Sequence, residues 1–191
     1  DFNNDGKTDF MYFNQGDDAP PFPGGMNALY LSSPTTGKLA DASPDAFAKP
    51  LFNHAGSVGD VNGDGYLDLL VNALMDHGNS LYINDGTGHM ALRNDLLPTR
   101  TDAGGMPHTY TQSGLIDVNA DGHLDAILGH WDNDYSPASS QVLLNDGTGN
   151  FSKAAPIKLP LSSIAREIIL DVKAIDLNGD ALPDLMLSVT N

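Results

Sequence analysis

Cysteine is absent from the 191 residues, so disulfides and thiol chemistry are ruled out, and a secreted protein of this kind would need some other cross-link. Basic residues are scarce: nine Lys and Arg stand against 25 Asp and Glu, for a formal charge of −16. Phosphate binding needs clustered cations, so this balance argues against nucleic acid and against anionic membranes. No apolar run approaches the roughly 20 residues of a spanning helix. No charged start followed by an apolar stretch marks a leader, and membrane insertion is not expected. Glutamate is almost missing too. Of the 25 acids, 24 are Asp and one is Glu167, whereas helical surfaces draw their negative charge largely from Glu. The acid therefore sits in loops.

What is present points to an all-β chain. Twenty Gly and 12 Pro separate short runs rich in Val, Ile, Leu, Tyr and Phe, the pattern of brief strands joined by turns. One nonapeptide recurs four times: Asp1-Phe-Asn-Asn-Asp-Gly-Lys-Thr-Asp9, Asp60-Val-Asn-Gly-Asp-Gly-Tyr-Leu-Asp68, Asp117-Val-Asn-Ala-Asp-Gly-His-Leu-Asp125 and Asp176-Leu-Asn-Gly-Asp-Ala-Leu-Pro-Asp184. Their starts lie 59, 57 and 59 residues apart. A short apolar run follows each copy: Phe10–Phe13, Leu69–Val71, Ala126–Leu128 and Leu185–Leu187. A second run follows, at Ala28–Leu31, Ser80–Ile83 and Gln141–Leu144, the last two leading into Asn-Asp-Gly-Thr-Gly, a strong hairpin signal.

Further strands are expected around Ser57–Gly59, Gly114–Ile116 and Val172–Ile175, and within Phe151–Leu159. Four strands per period fit a propeller blade running strand A, metal loop, strand B, connection, strand C, hairpin, strand D. In an antiparallel meander the A–B and C–D turns share one end, so the B–C and D–A connections share the other. The expected division is one propeller segment over 1–191: a partial blade at 1–50, blades at 51–107 and 108–160, and a partial blade at 161–191.

Each nonapeptide offers hard oxygen donors at alternate positions, as calcium's six to eight ligands require. In the second copy Asp60, Asn62 and Asp64 supply side chains, Tyr66 a backbone carbonyl and Asp68 a further carboxylate. The corresponding sets are Asp1, Asn3, Asp5, Lys7 and Asp9; Asp117, Asn119, Asp121, His123 and Asp125; and Asp176, Asn178, Asp180, Leu182 and Asp184. About four calcium ions are expected, and without them three carboxylates crowd each loop. An EF-hand would need flanking helices and Glu at position twelve, where this chain has Tyr12, Val71, Leu128 and Leu187. Ala181 replaces Gly at position six of the fourth copy, which at left-handed φ costs roughly 1–2 kcal/mol and marks that site as the weakest.

The Asp-x-Asn-x-Asp-Gly-x-x-Asp loops, the apolar strand after them and Leu81-Tyr-Ile-Asn-Asp-Gly-Thr-Gly88 resemble the FG-GAP/VCBS repeats of integrin-α-like propellers. The resemblance covers nearly the whole chain. It implies calcium-stabilised blades in an extracellular, cell-surface or periplasmic protein, either an adhesive binding module for glycan or protein or an accessory domain of a secreted polysaccharide-active enzyme. Asp1 already opens a loop, so the expectation is an excerpt from a longer propeller; the alternative is self-association through open blade ends to close a ring.

No Gly-x-Ser-x-Gly elbow or His-Glu-x-x-His helix occurs, and no catalytic residue is assigned. The six histidines share no close zinc spacing. Glu167 beside Arg166 reads as a solvated ion pair at a strand entrance. The unusual cluster is His130, Trp131, Asp132, Asp134 and Tyr135, containing the one Trp and falling in a B–C connection, opposite the metal loops. Asp17, Asp18, His77, His54, His108 and Tyr110 belong to the same face. A flat aromatic among carboxylates suits a sugar ring; the structural alternative is that Trp131 packs on the neighbouring blade. The leading reading is therefore a non-catalytic binding module, and the other is a fragment of a secreted lyase, hydrolase or phospholipase.

Overall fold

The computed structural model describes residues 1–47, 49–74, 78–98, 110–131, 139–160 and 167–190. Among these residues, thirteen strands make four antiparallel sheets in chain order. The first contains β1 (Phe10–Tyr12), β2 (Ala28–Ser32) and β3 (Leu39–Asp41), followed by a single helical turn, Ser43–Ala46. The second contains β4 (Asn53–Gly59), β5 (Asp68–Ala73), β6 (Asn79–Asn84) and β7 (Met90–Leu92). The third contains β8 (Tyr110–Ile116), β9 (Asp125–His130), β10 (Gln141–Leu143) and β11 (Ile157–Lys158). The fourth pairs β12 (Ile168–Ile175) with β13 (Asp184–Thr190). Each sheet is a simple meander, the architecture of propeller blades, and among the described residues the four do not close into a ring. No helix among them is long and apolar enough to cross a membrane.

The sequence pattern explains which strands are central. β5 reads Asp-Leu-Leu-Val-Asn-Ala and β9 reads Asp-Ala-Ile-Leu-Gly-His, and every residue of both is buried. Runs without polar alternation belong to strands covered on both faces, and here the covers are the neighbouring sheets. Leu69 and Val71 turn to the first sheet, where they meet Phe2, Leu29 and Phe47; Leu70 turns the other way, to Tyr110, Ala126 and Phe151 of the third. Phe47 meets Tyr82 edge-on with ring centres 5.4 Å apart. The outer sheets keep one open face, which leaves Phe10, Tyr12, Leu170 and Met186 about half exposed.

Strands A (β4, β8, β12) lie side by side, and each carries a register irregularity within its first three residues. Asn53 pairs with Ala73 and Ala55 with Asn72, leaving His54 as the extra residue; Thr111 and Leu170 are skipped in the same way. A bulge of this kind bends the strand and re-aims its side chain.

The expected strands are present, with strands A starting several residues earlier than their apolar tails indicate. Strand D of the third sheet is shorter than Phe151–Leu159: only Ile157–Lys158 pair, and Phe151 is fully buried as a core residue.

Candidate metal loops and ligand cleft

The four Asp-rich loops share one backbone. Position six is left-handed in each, at Gly6, Gly65, Gly122 and Ala181 with φ of 79°, 90°, 90° and 69°. Position four is left-handed as well, at Asn4, Gly63, Ala120 and Gly179. Two such residues in five curl the chain so that alternate side chains point inward. In the second loop Asp60 accepts from Gly63 (2.8 Å), Asp64 (3.2 Å) and Gly65 (2.8 Å) N–H groups, and Asn62 Oδ1 from Asp64 N–H (3.0 Å). Asp64 Oδ1 accepts from Tyr66 N–H at 2.9 Å. The same pattern holds Asp1, Asn3, Asp5 and Lys7; Asp117, Asn119, Asp121 and His123; and Asp176, Asn178, Asp180 and Leu182.

Position nine ties the loop shut. Asp68 accepts from Val61 N–H (3.0 Å) with one oxygen and from Asn84 N–H (2.9 Å) with the other. Asp125 does likewise with Val118 and Asn145, Asp9 with Phe2 and Ser32, and Asp184 accepts from Leu177. Burial pushes the Asp68 carboxyl up to about 6, against the pull of its two N–H donors, and the charges of Asp64 and Asp60 push the same way. Burial raises Asp125 too, with Asp121 and Asp117 adding to it. A carboxylate held inward beside two others is costly unless a cation is near.

The donor set of each loop, three carboxylates, an amide oxygen and a carbonyl, fits a hard divalent ion. As they stand the side-chain oxygens of positions one, three and five are turned to backbone N–H groups of their own loop, and those of position nine are shared in the first three loops with the N–H of Ser32, Asn84 or Asn145. Among the described residues no three acidic or imidazole side chains converge on one point.

Hairpins and metal loops occupy the same end, as the meander requires: Asn84 and Asn145 of the Asn-Asp-Gly turns reach the carbonyls of Leu67 and Leu124. A cleft of about 150 Å³ forms toward the opposite end, lined by Gln15, Asp18, Phe52, His54, Leu74, Thr111, Trp131 and Ile168. All four sheets or their connections contribute. The bulges supply two of these residues. His54 Nδ1 donates to the Thr111 carbonyl at 3.2 Å, which leaves Nε2 as the ring's other polar atom, and Thr111 Oγ1 donates to the Ile169 carbonyl at 2.7 Å. The Trp131 backbone is fixed by a bridge to Ile168 of the next sheet.

Of the residues singled out for a ligand, Trp131 lines the cleft, joined by Asp18 and His54 from the same expected face. His130 is buried, its ring edge-on to Tyr110 at 6.0 Å, and is not part of the lining. Asp132, Asp134, Tyr135, His77 and His108 lie outside the described residues. Glu167 corrects its expectation: it is 7% exposed, so it is not a solvated side chain, and Arg166 lies outside the described residues. Gln15, Thr111, Phe52, Leu74 and Ile168 carry no motif in the sequence, and only the packing of sheets brings them together.

A search among curated proteins finds no match. The model of one family, described as the FG-GAP-like repeat, matches residues 1–71 and 117–187, spans that take in all four Asp-rich loops in full. With its repeated loops, meander blades and matched spans, the chain belongs to the FG-GAP-like repeat family.

Proposed function

We propose that the chain is a non-catalytic binding module whose blades are held by calcium in the four loops and whose ligand site is the cleft beside Trp131. Propellers built from FG-GAP repeats are typical of extracellular proteins and suggest a binding role. The observation that carries the reading is that repeated bulges aim His54 and Thr111 into the same cleft as the one Trp of the chain, at the end away from the loops. A half-buried indole with Asp18, Gln15 and His54 beside it offers stacking and hydrogen bonds together, which is how a sugar ring is recognised. The cleft is well below the roughly 300 Å³ of a pocket for a drug-sized ligand and suits one sugar residue of a glycan. Asp18 and His54 in one cleft also favour a second reading, an acid–base pair of a secreted polysaccharide-active enzyme or phospholipase.

The test uses two measurements on one variant. Trp131 fluorescence is titrated with mono- and oligosaccharides, and melting is followed with calcium and with a chelator. Each loop filled at 100 times its Kd adds about 2.7 kcal/mol to stability. Chelation should lower the melting temperature by many degrees, and Trp131→Ala should abolish the sugar response while keeping the calcium effect. A melting temperature indifferent to chelator removes calcium from the reading. Sugar binding that survives Trp131→Ala moves the ligand elsewhere, and turnover that His54→Ala abolishes would favour the enzyme.

A further inference from the structure

The hairpin residues Asn84 and Asn145 lie outside the nine-residue loops, yet each is fastened to two of them. Asn84 is 1% exposed. Its Nδ2 donates to the Leu67 carbonyl of its own blade at 3.1 Å and to the Phe2 carbonyl of the preceding blade at 2.7 Å. Its backbone N–H holds Asp68, and its Oδ1 accepts from Gly86 and Gly88 N–H groups of the hairpin. Asn145, 3% exposed, repeats the arrangement one blade on: Nδ2 donates to Leu124 (3.0 Å) and Val61 (2.7 Å), its N–H holds Asp125, and Oδ1 takes Gly147 and Gly149.

The four carbonyls so grasped are all flanked by loop donors. Phe2 lies between Asp1 and Asn3, Val61 between Asp60 and Asn62, Leu67 between Tyr66 and Asp68, and Leu124 between His123 and Asp125. One buried amide thus sets the backbone beside the first donors of one loop and the last donors of the next. Breaking either bond strands a buried polar group, which makes the connection stiff. The equivalent residue in the first sheet shows what a lesser connection looks like. Ser32 holds Asp9 with its N–H (2.8 Å) and Thr8 with its hydroxyl (2.5 Å), which serves its own loop alone. Among the described residues the fourth loop receives no bridging amide.

We propose that Asn84 and Asn145 are positioning residues that couple neighbouring loops, so that the first three loops fill with calcium cooperatively. The proposal rests on the calcium reading above. An ion in the second loop fixes Asp68 and the carbonyl of Leu67, which fixes the Asn84 amide, which holds Phe2 and with it the mouth of the first loop. A first ion thereby lowers the ordering cost for a second, and the effect is reciprocal.

Tyr66 belongs to the second loop, so terbium(III) bound there as a calcium surrogate can be excited through that ring, giving a signal specific to one loop. Asp5→Asn disables the first loop and should weaken terbium binding at the second by about 5-fold or more. Asp180→Asn disables the fourth and should leave that affinity in place. In an Asn84→Ser background, copying Ser32, Asp5→Asn should no longer alter it. The proposal is overturned if the second loop is indifferent to Asp5→Asn, or if the loss is as large with Ser at 84. Should Asn84→Ser fail to fold, the comparison of Asp5→Asn with Asp180→Asn decides, because both leave the hairpins intact. Wild-type protein that gives no terbium signal displaceable by calcium defeats the calcium reading itself, a different result from independent filling.

Discussion

Position six of the metal loops isolates the cost of one methyl group. At Gly65 a Cβ would meet nothing within 4 Å, so Gly65→Ala would add backbone strain and no clash, about 1–2 kcal/mol at φ of 90°. Ala181 already bears that strain at φ of 69°. Ala181→Gly should therefore raise the stability of the calcium-loaded chain, by about 0.5–1 kcal/mol once the greater freedom of unfolded Gly is subtracted. The midpoint of denaturant unfolding checks this, and an unchanged or lower midpoint counts against it. Position four was not legible in the same way. Asn4, Gly63, Ala120 and Gly179 are all left-handed, but Ala120 gives no sign of it in the sequence, and it places a similar strain on the third loop. Gly at position six announces its backbone; Ala at position four takes its conformation from the ligand spacing around it.

Strands were legible from apolar runs because the inner sheets are covered on both faces, so that Leu69–Val71 and Ala126–Leu128 could not alternate with polar residues. The bulges at His54, Thr111 and Leu170 were not, since a skipped residue exists only relative to its partner strand. Close contact between sheets depends on small residues at particular points. A Cβ at Gly129 in β9 would sit 2.7 Å from Ile169 Cγ2 and 2.8 Å from its Cβ, the latter fixed to the β12 backbone. At Gly114 the nearest atoms are side-chain tips of Ile116 and Val172, at 3.1 and 3.3 Å. Gly129→Ala should then cost about 1–3 kcal/mol by forcing the third and fourth sheets apart. Gly114→Ala should cost distinctly less, and thermal melting of the two variants in calcium compares them; equal losses would mean that the sheets yield.

Over the whole molecule the charge of −16 is concentrated where the repeat places it, with 12 of the 25 acids in the four loops. Four divalent ions would offset eight of those sixteen net charges. The metal-free chain should therefore gain stability as sodium chloride rises from about 0.01 to 1 M, which shortens the screening length from about 30 to 3 Å. The calcium-loaded chain should respond much less. Melting curves across the salt series check the difference, and a metal-free chain that melts lower in high salt would show that repulsion is not its burden. The repeat spacing made the architecture and the face opposite the loops legible from sequence. The cleft was legible only at Trp131, Asp18 and His54, because its wall is assembled from all four sheets and no local pattern records that assembly. The way neighbouring sheets are joined bears on how they would come apart. The first two are fastened near the loops by Asn84 to Phe2 and near the cleft by the Gly25–Leu51 bridge; the second and third by Asn145 to Val61 and by His54 to Thr111. A tensile load across either junction is shared by both rims, so the sheets cannot peel open from one edge and the two fastenings have to give way together.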